Sequence, residues 1–217
     1  HRYDLLNSML SFGRDRSWRD FAMAQIADIP NAMILDLATG TGKIALLAAR
    51  RYSRSEIVGV DFCPEMLALL GKRVSVNPVK NRVNPIQGDA LRLPFSDNIF
   101  NCVTIGFALR NVTSIASLFS EMARVTQPGG KMVSLELTRP SGRIMLTLHK
   151  LYIKIVIRCI GGIVSGKWDA YAYLPQSILE FPSPQEVQKV METAGWRDVK
   201  IYRLTFGVAT VQTGIKE

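Results

Sequence analysis

Cysteine and histidine are scarce in this chain, which has three cysteines and two histidines in 217 residues. Cys63, Cys102 and Cys159 are an odd number and contain no CxxC pair. We therefore expect neither a disulfide framework nor a metal site, and a reducing, cytoplasmic compartment is favoured. No signal peptide is recognised in the given residues, and no uninterrupted apolar run of about 18 residues occurs, so we expect no membrane-spanning helix. It begins at His1 without Met, from which we expect that an original N-terminus was trimmed or processed.

The composition that remains is typical of one folded domain. Hydrophobic residues make up 47% of the sequence, which is enough to bury a full core at this length. There is no internal repeat and no low-complexity linker. We expect residues 1–217 to form a single domain, with a helical N-terminal segment at 1–30 and an insertion at 140–180.

The segment 34–42 is the most informative part of the sequence. It reads Ile-Leu-Asp-Leu-Ala-Thr-Gly-Thr-Gly, a helical apolar pattern follows it, and Asp61 ends a second apolar run. This order predicts a buried strand, a tight turn, a helix and a second strand ending in an acid. Gly40 and Gly42 would let a ligand approach the backbone, and Asp61 is placed to accept hydrogen bonds from ribose hydroxyls. An ordinary turn remains the alternative for the glycine pair alone.

Two more acidic residues lie within or directly after the strands predicted in this part of the chain. Asp36 lies within the first strand, where a buried carboxylate needs donors, so it either anchors the glycine loop or faces a positive ligand group. Asp89 follows a third predicted strand at 82–87. Its alternative role is that of a turn residue before the next segment.

The rest of the chain continues the alternation of strands and helices. We predict strands at 99–105 and 131–136, with a helix at 114–126 between them, and a mostly parallel sheet buried on both faces. Ser183 begins a later helix with a capping box. The last two strands, 199–204 and 206–211, are too close for a crossover helix and predict an antiparallel hairpin.

Asp36, Gly40, Gly42, Asp61 and Asp89 together resemble the motifs of class I (Rossmann-like) S-adenosylmethionine-dependent methyltransferases. The resemblance implies an α/β fold with a seven-stranded sheet, helices on both faces and an antiparallel last strand. It also implies that the acid after strand two holds the ribose and the acid after strand three meets the adenine amine. The residues expected to bind S-adenosylmethionine are Asp36, Ala38, Gly40, Thr41, Gly42, Asp61, Phe62, Asp89, Ala90 and Gly106.

Four further segments resemble one family, the ubiquinone/menaquinone biosynthesis C-methyltransferases, over nearly the whole chain. The family differs from this sequence at several positions. It usually has His where Asp15 stands, and some relatives have a cofactor-contacting Ser where Gly106 stands. The Asp15 difference leaves open a paralogue with another acceptor. The matching segments are 3–7 with 11–13 and Trp18, 105–112, 124–130 with Glu136, and 173–177 with 181–182.

The resemblance implies methyl transfer to a ring carbon of a prenylated hydroquinone, with the naphthoquinol of menaquinone synthesis slightly favoured over the benzoquinol. Carbon attack needs an electron-rich ring, so the reduced, ionisable hydroquinone must be the substrate. By resemblance Arg110, Asn111 and Tyr3 face this ring. Because arginine stays charged, Arg110 would stabilise the phenolate or orient a water that takes the proton. The alternative is that Arg110 and Asn111 begin a loop and Tyr3 packs on the core.

The segment 142–167 has five basic residues, no acidic residue and interleaved apolar residues. It suits a cap over the acceptor site that covers the prenyl tail and brings lysines to an anionic membrane surface. The net charge of +9 fits this peripheral contact on the inner face of the membrane. An ordinary amphipathic helix with a solvated basic face is the alternative.

Three other functions stay open. A small-molecule O- or N-methyltransferase shares the fold, since fold does not fix the acceptor. An RNA methyltransferase fits the positive charge, but no RNA-binding module or aromatic-basic interleaving is present, and no nucleic-acid partner is expected. A non-catalytic subunit of a quinone-synthesis complex is the third. A homodimer is also compatible with the sequence.

Overall fold

The computed structural model describes residues 11, 13–26, 29–140, 142 and 177–217. Tyr3 lies outside the described residues. So do Cys159, most of the expected 140–180 cap and the first part of the 1–30 segment. The expectations for these parts therefore remain expectations.

The described chain alternates helices and strands up to residue 137, except that two strands follow one another between residues 83 and 106, and it ends with a helix and two strands. Three short 3-10 turns connect them at Lys80–Arg82, Leu109–Asn111 and Thr205–Gly207. The helices are α1 (Asp15–Ala24), α2 (Lys43–Arg51), α3 (Pro64–Ser75), α4 (Ile115–Val125) and α5 (Pro184–Thr193). The strands are β1 (Met33–Leu37), β2 (Glu56–Asp61), β3 (Val83–Gln87), β4 (Phe100–Gly106), β5 (Thr126–Leu137), β6 (Trp196–Leu204) and β7 (Ala209–Lys216).

All seven strands form one sheet in the order β3-β2-β1-β4-β5-β7-β6. The first five in this order pair in parallel, and β7 runs antiparallel to both β5 and β6. The predicted α/β class and antiparallel last strand are therefore confirmed. The strand order reverses between β1 and β4, and ligands of open α/β sheets bind at the carboxyl ends of strands beside such a reversal.

Two groups of buried apolar side chains make up the core. One contains residues from α1, α2 and α3, with Met23, Ala45 and Leu70 fully or almost fully buried. The other contains residues from α4 and α5, including Phe119 and Met191. The central strands are buried accordingly: four of the five residues in β1 are buried, and Asp36 is the one polar residue among these four.

The connection between α4 and β5 corrects the sequence prediction. The helix ends at Val125 and the strand begins at Thr126, five residues before the predicted start. Phe100 pairs with Thr126 and Cys102 with Lys131, so residues 127–130 oppose a single residue of β4. Glycines make this bulge possible, since a Cβ on Gly130 would lie 2.5 Å from Thr126 Cγ2.

The predicted hairpin at the end of the chain is present, but the bounds of its second strand were wrong. The prediction began it at Phe206, whereas Phe206 lies in a 3-10 turn and β7 extends over Ala209–Lys216. Thr205 and Phe206 both have positive φ angles, 47° and 57°. That conformation cannot continue a strand, and a sequence rich in β-branched and aromatic residues does not indicate it.

The start of α5 is as predicted. Ser183 and Glu186 form both hydrogen bonds of a capping box, with Pro184 at the first helical position. None of the described helices is both long and apolar enough to cross a bilayer.

Candidate active site

A cavity of about 640 Å³ opens at the carboxyl ends of β1, β2, β3 and β4. Nine of the ten residues expected to bind the cofactor line it, all except Gly42. Asn111 also lines it, whereas Arg110 is not among its lining residues. The other lining residues are Arg19, Thr39, Lys43, Ile44, Val60, Cys63, Met66, Gly88, Leu91, Phe107, Ala108, Val112 and Thr113.

Asp36 is buried below the loop that follows β1. Its carboxylate accepts hydrogen bonds from Thr39 Oγ1 at 2.6 Å and from Thr104 Oγ1 at 2.8 Å. Burial raises the pKa of Asp36 to about 6, and these two hydrogen bonds act against that rise. Asp36 therefore joins the glycine loop to β4, which is the first of the two roles that the sequence left open.

Asp61 fixes the same loop from the end of β2. One of its carboxylate oxygens accepts the backbone N–H of Gly40 at 2.7 Å, and the other accepts that of Cys63 at 2.9 Å. Gly40 has a φ of +55°, and a Cβ there would have the backbone oxygen of Ala38, at 4.0 Å, as its nearest neighbour. A half-buried carboxylate has about four lone-pair positions, so Asp61 retains capacity to accept hydrogen bonds from a ligand.

Gly42 has a different reason to be glycine from the one the sequence suggested. A Cβ at this position would lie 2.2 Å from Leu70 Cδ1, and its φ is +79°. The residue thus allows α2 to begin against α3, and it does not line the cavity. Gly106 has a similar role toward α2, because a Cβ there would lie 2.3 Å from Ile44 Cδ1.

Asp89 is exposed at the cavity, after β3. Its side chain accepts the backbone N–H of Leu91 at 2.9 Å, which is the turn bond considered as its alternative role. It also lines the cavity beside Ala90. On the neighbouring loop Phe62 is 76% exposed, a large apolar ring open to a ligand.

Two non-glycine residues that line the cavity have positive φ angles, and the sequence did not indicate this backbone conformation at either position. Ala38 leaves β1 with a φ of 48°, and Phe107 leaves the neighbouring β4 with a φ of 59°. Non-glycine residues in this region cost free energy and occur often at functional sites. Both positions directly follow the carboxyl ends of neighbouring strands, and both line the cavity.

Arg110 is buried in an ion pair at the edge of this region. Its Nε donates to Glu136 Oε1 at 2.8 Å, and Nη1 donates to Ser177 Oγ at 2.9 Å. The side chains of Arg110 and Glu136 are only 6% and 3% exposed. The sequence identified Arg110 but not this pairing, because no local pattern connects a residue in the turn after β4 to a residue of β5 that follows it by 26 positions.

A second group of charges lines the cavity from α1 and α2 and was not predicted. Asp15 accepts hydrogen bonds from Arg19 at 2.5 Å and from Lys43 at 3.3 Å. Burial would raise the pKa of Asp15, but the hydrogen bonds and charges of Arg19 and Lys43 outweigh it and lower that pKa. The carboxylate is therefore ionised at neutral pH.

Known methyltransferases are similar to this chain in sequence over almost its whole length. A curated C-methyltransferase of ubiquinone/menaquinone biosynthesis from Geotalea daltonii is 43% identical over 99% of this chain and 92% of its own length. A demethylmenaquinone methyltransferase from Thermus thermophilus is 40% identical over 98% of this chain and 96% of its own.

Solved structures share the fold at much lower identity. A SAM-dependent methyltransferase from Aquifex aeolicus superposes with a TM-score of 0.70 at 14% identity, covering 99% of this chain and 98% of that one. The phosphoethanolamine N-methyltransferase 2 of Haemonchus contortus, in complex with S-adenosyl-L-methionine, gives 0.67 at 15% identity over 92% and 52% of the two chains. The model of the ubiE/COQ5 methyltransferase family matches residues 1–216. This chain therefore belongs to the ubiE/COQ5 methyltransferase family.

Proposed function

We propose that this protein transfers the methyl group of S-adenosylmethionine to a ring carbon of a reduced, prenylated hydroquinone in respiratory quinone biosynthesis. The observation that carries the proposal is the cavity at the switch point of the sheet. It gathers nine residues that were chosen from the sequence as cofactor contacts. Two relatives that are at least 40% identical are named as a C-methyltransferase of ubiquinone/menaquinone biosynthesis and as a demethylmenaquinone methyltransferase, which supports the proposal.

The residues present fit the adenosine part of the cofactor. Asp61 ends β2 with its carboxylate already held by two backbone amides, in the position where a ribose is recognised. Phe62 and Leu91 provide apolar surface for the base. Asp89 stands on the exposed side to accept the adenine amino group.

When bound, S-adenosylmethionine supplies an electrophilic methyl group on a sulfonium. The task of the chain is then to hold the acceptor carbon in line with that methyl and to stabilise negative charge on the ring. Asn111 lines the cavity at the end of β4 and is placed to donate a hydrogen bond to a ring oxygen. Tyr3 remains part of the proposal as a residue that closes the site.

Arg110 contributes a permanent positive charge next to the acceptor region. Arginine cannot act as a base, and Glu136 fixes its guanidinium through Nε. We propose that this charge lowers the cost of ionising the hydroquinone, whose phenolate spreads negative charge onto the ring carbons. The hydrogen bond to Ser177 connects the same guanidinium to the C-terminal part of the proposed 140–180 cap.

The 140–180 cap is proposed to cover the prenyl tail and to touch an anionic membrane surface through its basic residues. Sedimentation with vesicles tests this part separately. Greater binding to vesicles containing anionic lipid than to neutral vesicles would support it, and equal partitioning onto both would count against it.

Transfer of radiolabelled methyl tests the proposed reaction. The protein is incubated with methyl-labelled S-adenosylmethionine and either demethylmenaquinol or a demethylated benzoquinol, with the oxidised quinones as matched controls. We expect label in a reduced ring only, and the better substrate identifies the pathway. Binding of the cofactor without label in either ring would favour a paralogue with another acceptor, with Asp15 and Gly106 as the first residues to exchange.

A further inference from the structure

We propose that Arg19, supported by Lys43 and positioned by Asp15, forms the subsite for the carboxylate at the amino-acid end of the cofactor. This inference rests on the proposed function, since it assumes that S-adenosylmethionine occupies the cavity. It assigns a binding role to a cluster that neither the glycine loop nor the acidic residues of the site include.

Arg19 is a buried cation on the wall of the cavity. Only 8% of the residue is exposed, and its guanidinium lies over the ring of Phe107 with Cζ 4.9 Å from the ring centroid. Nη1 donates to the carboxylate of Asp15 at 2.5 Å and to the backbone oxygen of the same residue at 3.2 Å. Stacking and pairing together fix the plane of the guanidinium.

Within the part of the chain that the structure describes, Arg19 uses only Nη1 as a hydrogen-bond donor. Among the described residues, none accepts a hydrogen bond from its Nε or Nη2. A buried donor without an acceptor is costly, and that cost is greatest for a charged group. A planar guanidinium with two unused donors beside a cavity suits a carboxylate, which accepts two parallel hydrogen bonds.

The charges around Arg19 favour an anion at this point. Lys43 also lines the cavity, at the start of α2, where the helix dipole adds positive potential. Asp15 is a carboxylate that pairs with both cations and holds them on the same side of the cavity. Asp36 and Asp61 supply negative charge further along the same wall.

This arrangement of opposite charges matches an α-amino acid, which carries an ammonium group beside its carboxylate. Burial raises the pKa of Asp36 to about 6, and the charge of Arg19 is near enough to act against that rise. Asp36 and Arg19 carry opposite charges and line the same cavity. We infer that the ammonium group faces Asp36 and the carboxylate faces Arg19.

The order of the strands places this subsite at the correct end of the ligand. Asp89 follows β3, Asp61 follows β2, the glycine loop follows β1 and Phe107 follows β4, and these four strands are consecutive neighbours. Neighbouring strands are about 4.8 Å apart. A cofactor with its adenosine at β3 and β2 therefore extends its amino-acid arm across the glycine loop toward Phe107 and Arg19.

Calorimetric titration with two nucleosides tests the proposal without any acceptor. S-Adenosylhomocysteine carries the amino-acid end, and 5′-methylthioadenosine lacks it. In Arg19→Gln we expect the Kd of S-adenosylhomocysteine to rise about 10- to 100-fold, the range for a lost charge-assisted hydrogen bond. The Kd of 5′-methylthioadenosine should change by less than about threefold, because adenosine contacts remain.

Two more variants keep the test decisive. Arg16→Gln alters an exposed arginine of the same helix and should leave both affinities unchanged. Asp15→Asn/Arg19→Gln removes the buried carboxylate together with its partner, so it should fold even if the single variant does not, and it should show the same selective loss. Equal weakening of both nucleosides, or weakening of neither, would overturn the proposal. If the unchanged protein binds neither nucleoside, the proposed cofactor site itself is wrong.

Discussion

Two regions of the site hold their functional side chains in different ways. The first region lies at the ends of β1, β2 and β3, and the second region is the loop after β4. In the first region Asp36 and Asp61 are held by short hydrogen bonds from neighbouring hydroxyl and backbone groups, and both line the cavity. In the second region the most strongly charged candidate, Arg110, is paired with buried Glu136 and does not line the cavity. The cofactor region is thus preformed by local contacts, whereas the acceptor region depends on a long-range ion pair.

This difference indicates how the two regions contribute to the reaction. Carboxylates that already accept backbone amides need little reorganisation when a ribose arrives, which favours binding. A buried guanidinium paired with a carboxylate acts through its charge and through the position of the chain around it. We therefore expect substitutions in the loop after β4 to alter turnover. Substitutions at the ends of β1 and β2 should instead alter the affinity for the cofactor.

The largest effect should come from Arg110→Ala. Loss of the charge that stabilises the phenolate should reduce kcat by about 100- to 1,000-fold. The Kd of S-adenosylhomocysteine should change by less than about twofold. Single-turnover kinetics and calorimetry measure the two quantities.

The variant Arg110→Ala leaves Glu136 as a buried charge, which can cost about 3 to 5 kcal/mol of stability. Arg110→Ala/Glu136→Gln removes that charge as well and serves as the folding control. If this double variant regains wild-type kcat, the arginine has only a structural role, and the distinction between the two regions is lost.

The next largest effect concerns the pH dependence of stability. Burial raises the pKa of Asp36 to about 6, from 3.8 in an unfolded chain. Between about pH 4 and pH 6 the folded protein therefore binds more protons at this group than the unfolded chain does. The free energy of unfolding should fall as pH rises through this window, by about 2 to 3 kcal/mol from Asp36 alone.

Urea denaturation of the wild type and of Asp36→Asn at several pH values measures this contribution. The difference between the two proteins should decline as pH rises and become constant above about pH 7. A difference that stays constant across the window would show that the pKa of Asp36 is not raised by burial.

Asp61→Asn should weaken cofactor binding with a smaller effect on the fold. The carboxylate accepts the amide of Gly40 and would accept ribose hydroxyls, and an amide does both less well. We expect the Kd of S-adenosylhomocysteine to rise about 10- to 30-fold, the low end for hydrogen bonds to charged groups. Asp20→Asn, on the exposed side of α1, is the matched control. A loss of kcat without a change in Kd would contradict the assignment.

The smallest expected effects are on stability, and they distinguish two glycines that both lie near Leu70. Gly42→Ala should lower stability by about 1 to 2 kcal/mol, because its φ is +79° and the new Cβ would meet Leu70. Gly71→Ala, in α3 beside Leu70, has nothing within 4 Å and should raise stability by up to about 1 kcal/mol. Thermal denaturation of both variants gives the comparison. Destabilisation of equal size in both would refute the packing role of Gly42.

The sequence predicted the elements around the glycine loop well because their signals are local. Apolar runs, glycines and Asp61 follow one another within about thirty residues, and each marks one end of a strand or helix. The capping box at Ser183 is equally local, and the structure contains both of its hydrogen bonds.

Features that depend on tertiary structure were not predictable in the same way. The bulge at 127–130 depends on pairing with β4, and the role of Gly42 depends on Leu70 from another helix. The positions of Arg19 and Glu136 at the site come from packing of α1 and pairing of β5. Sequence periodicity indicates that such residues are buried or exposed but not which residues they contact.

The most direct test of the proposed function is to find the atom that receives the methyl group. The protein is given ¹³C-methyl-labelled S-adenosylmethionine and demethylmenaquinol or demethylated benzoquinol under reducing conditions, and the product is examined by NMR and mass spectrometry. We predict a methyl group attached to a ring carbon, formed only from the reduced acceptor. A methyl group on a ring oxygen, or equal transfer to the oxidised quinone, would contradict carbon methylation of an ionised hydroquinone.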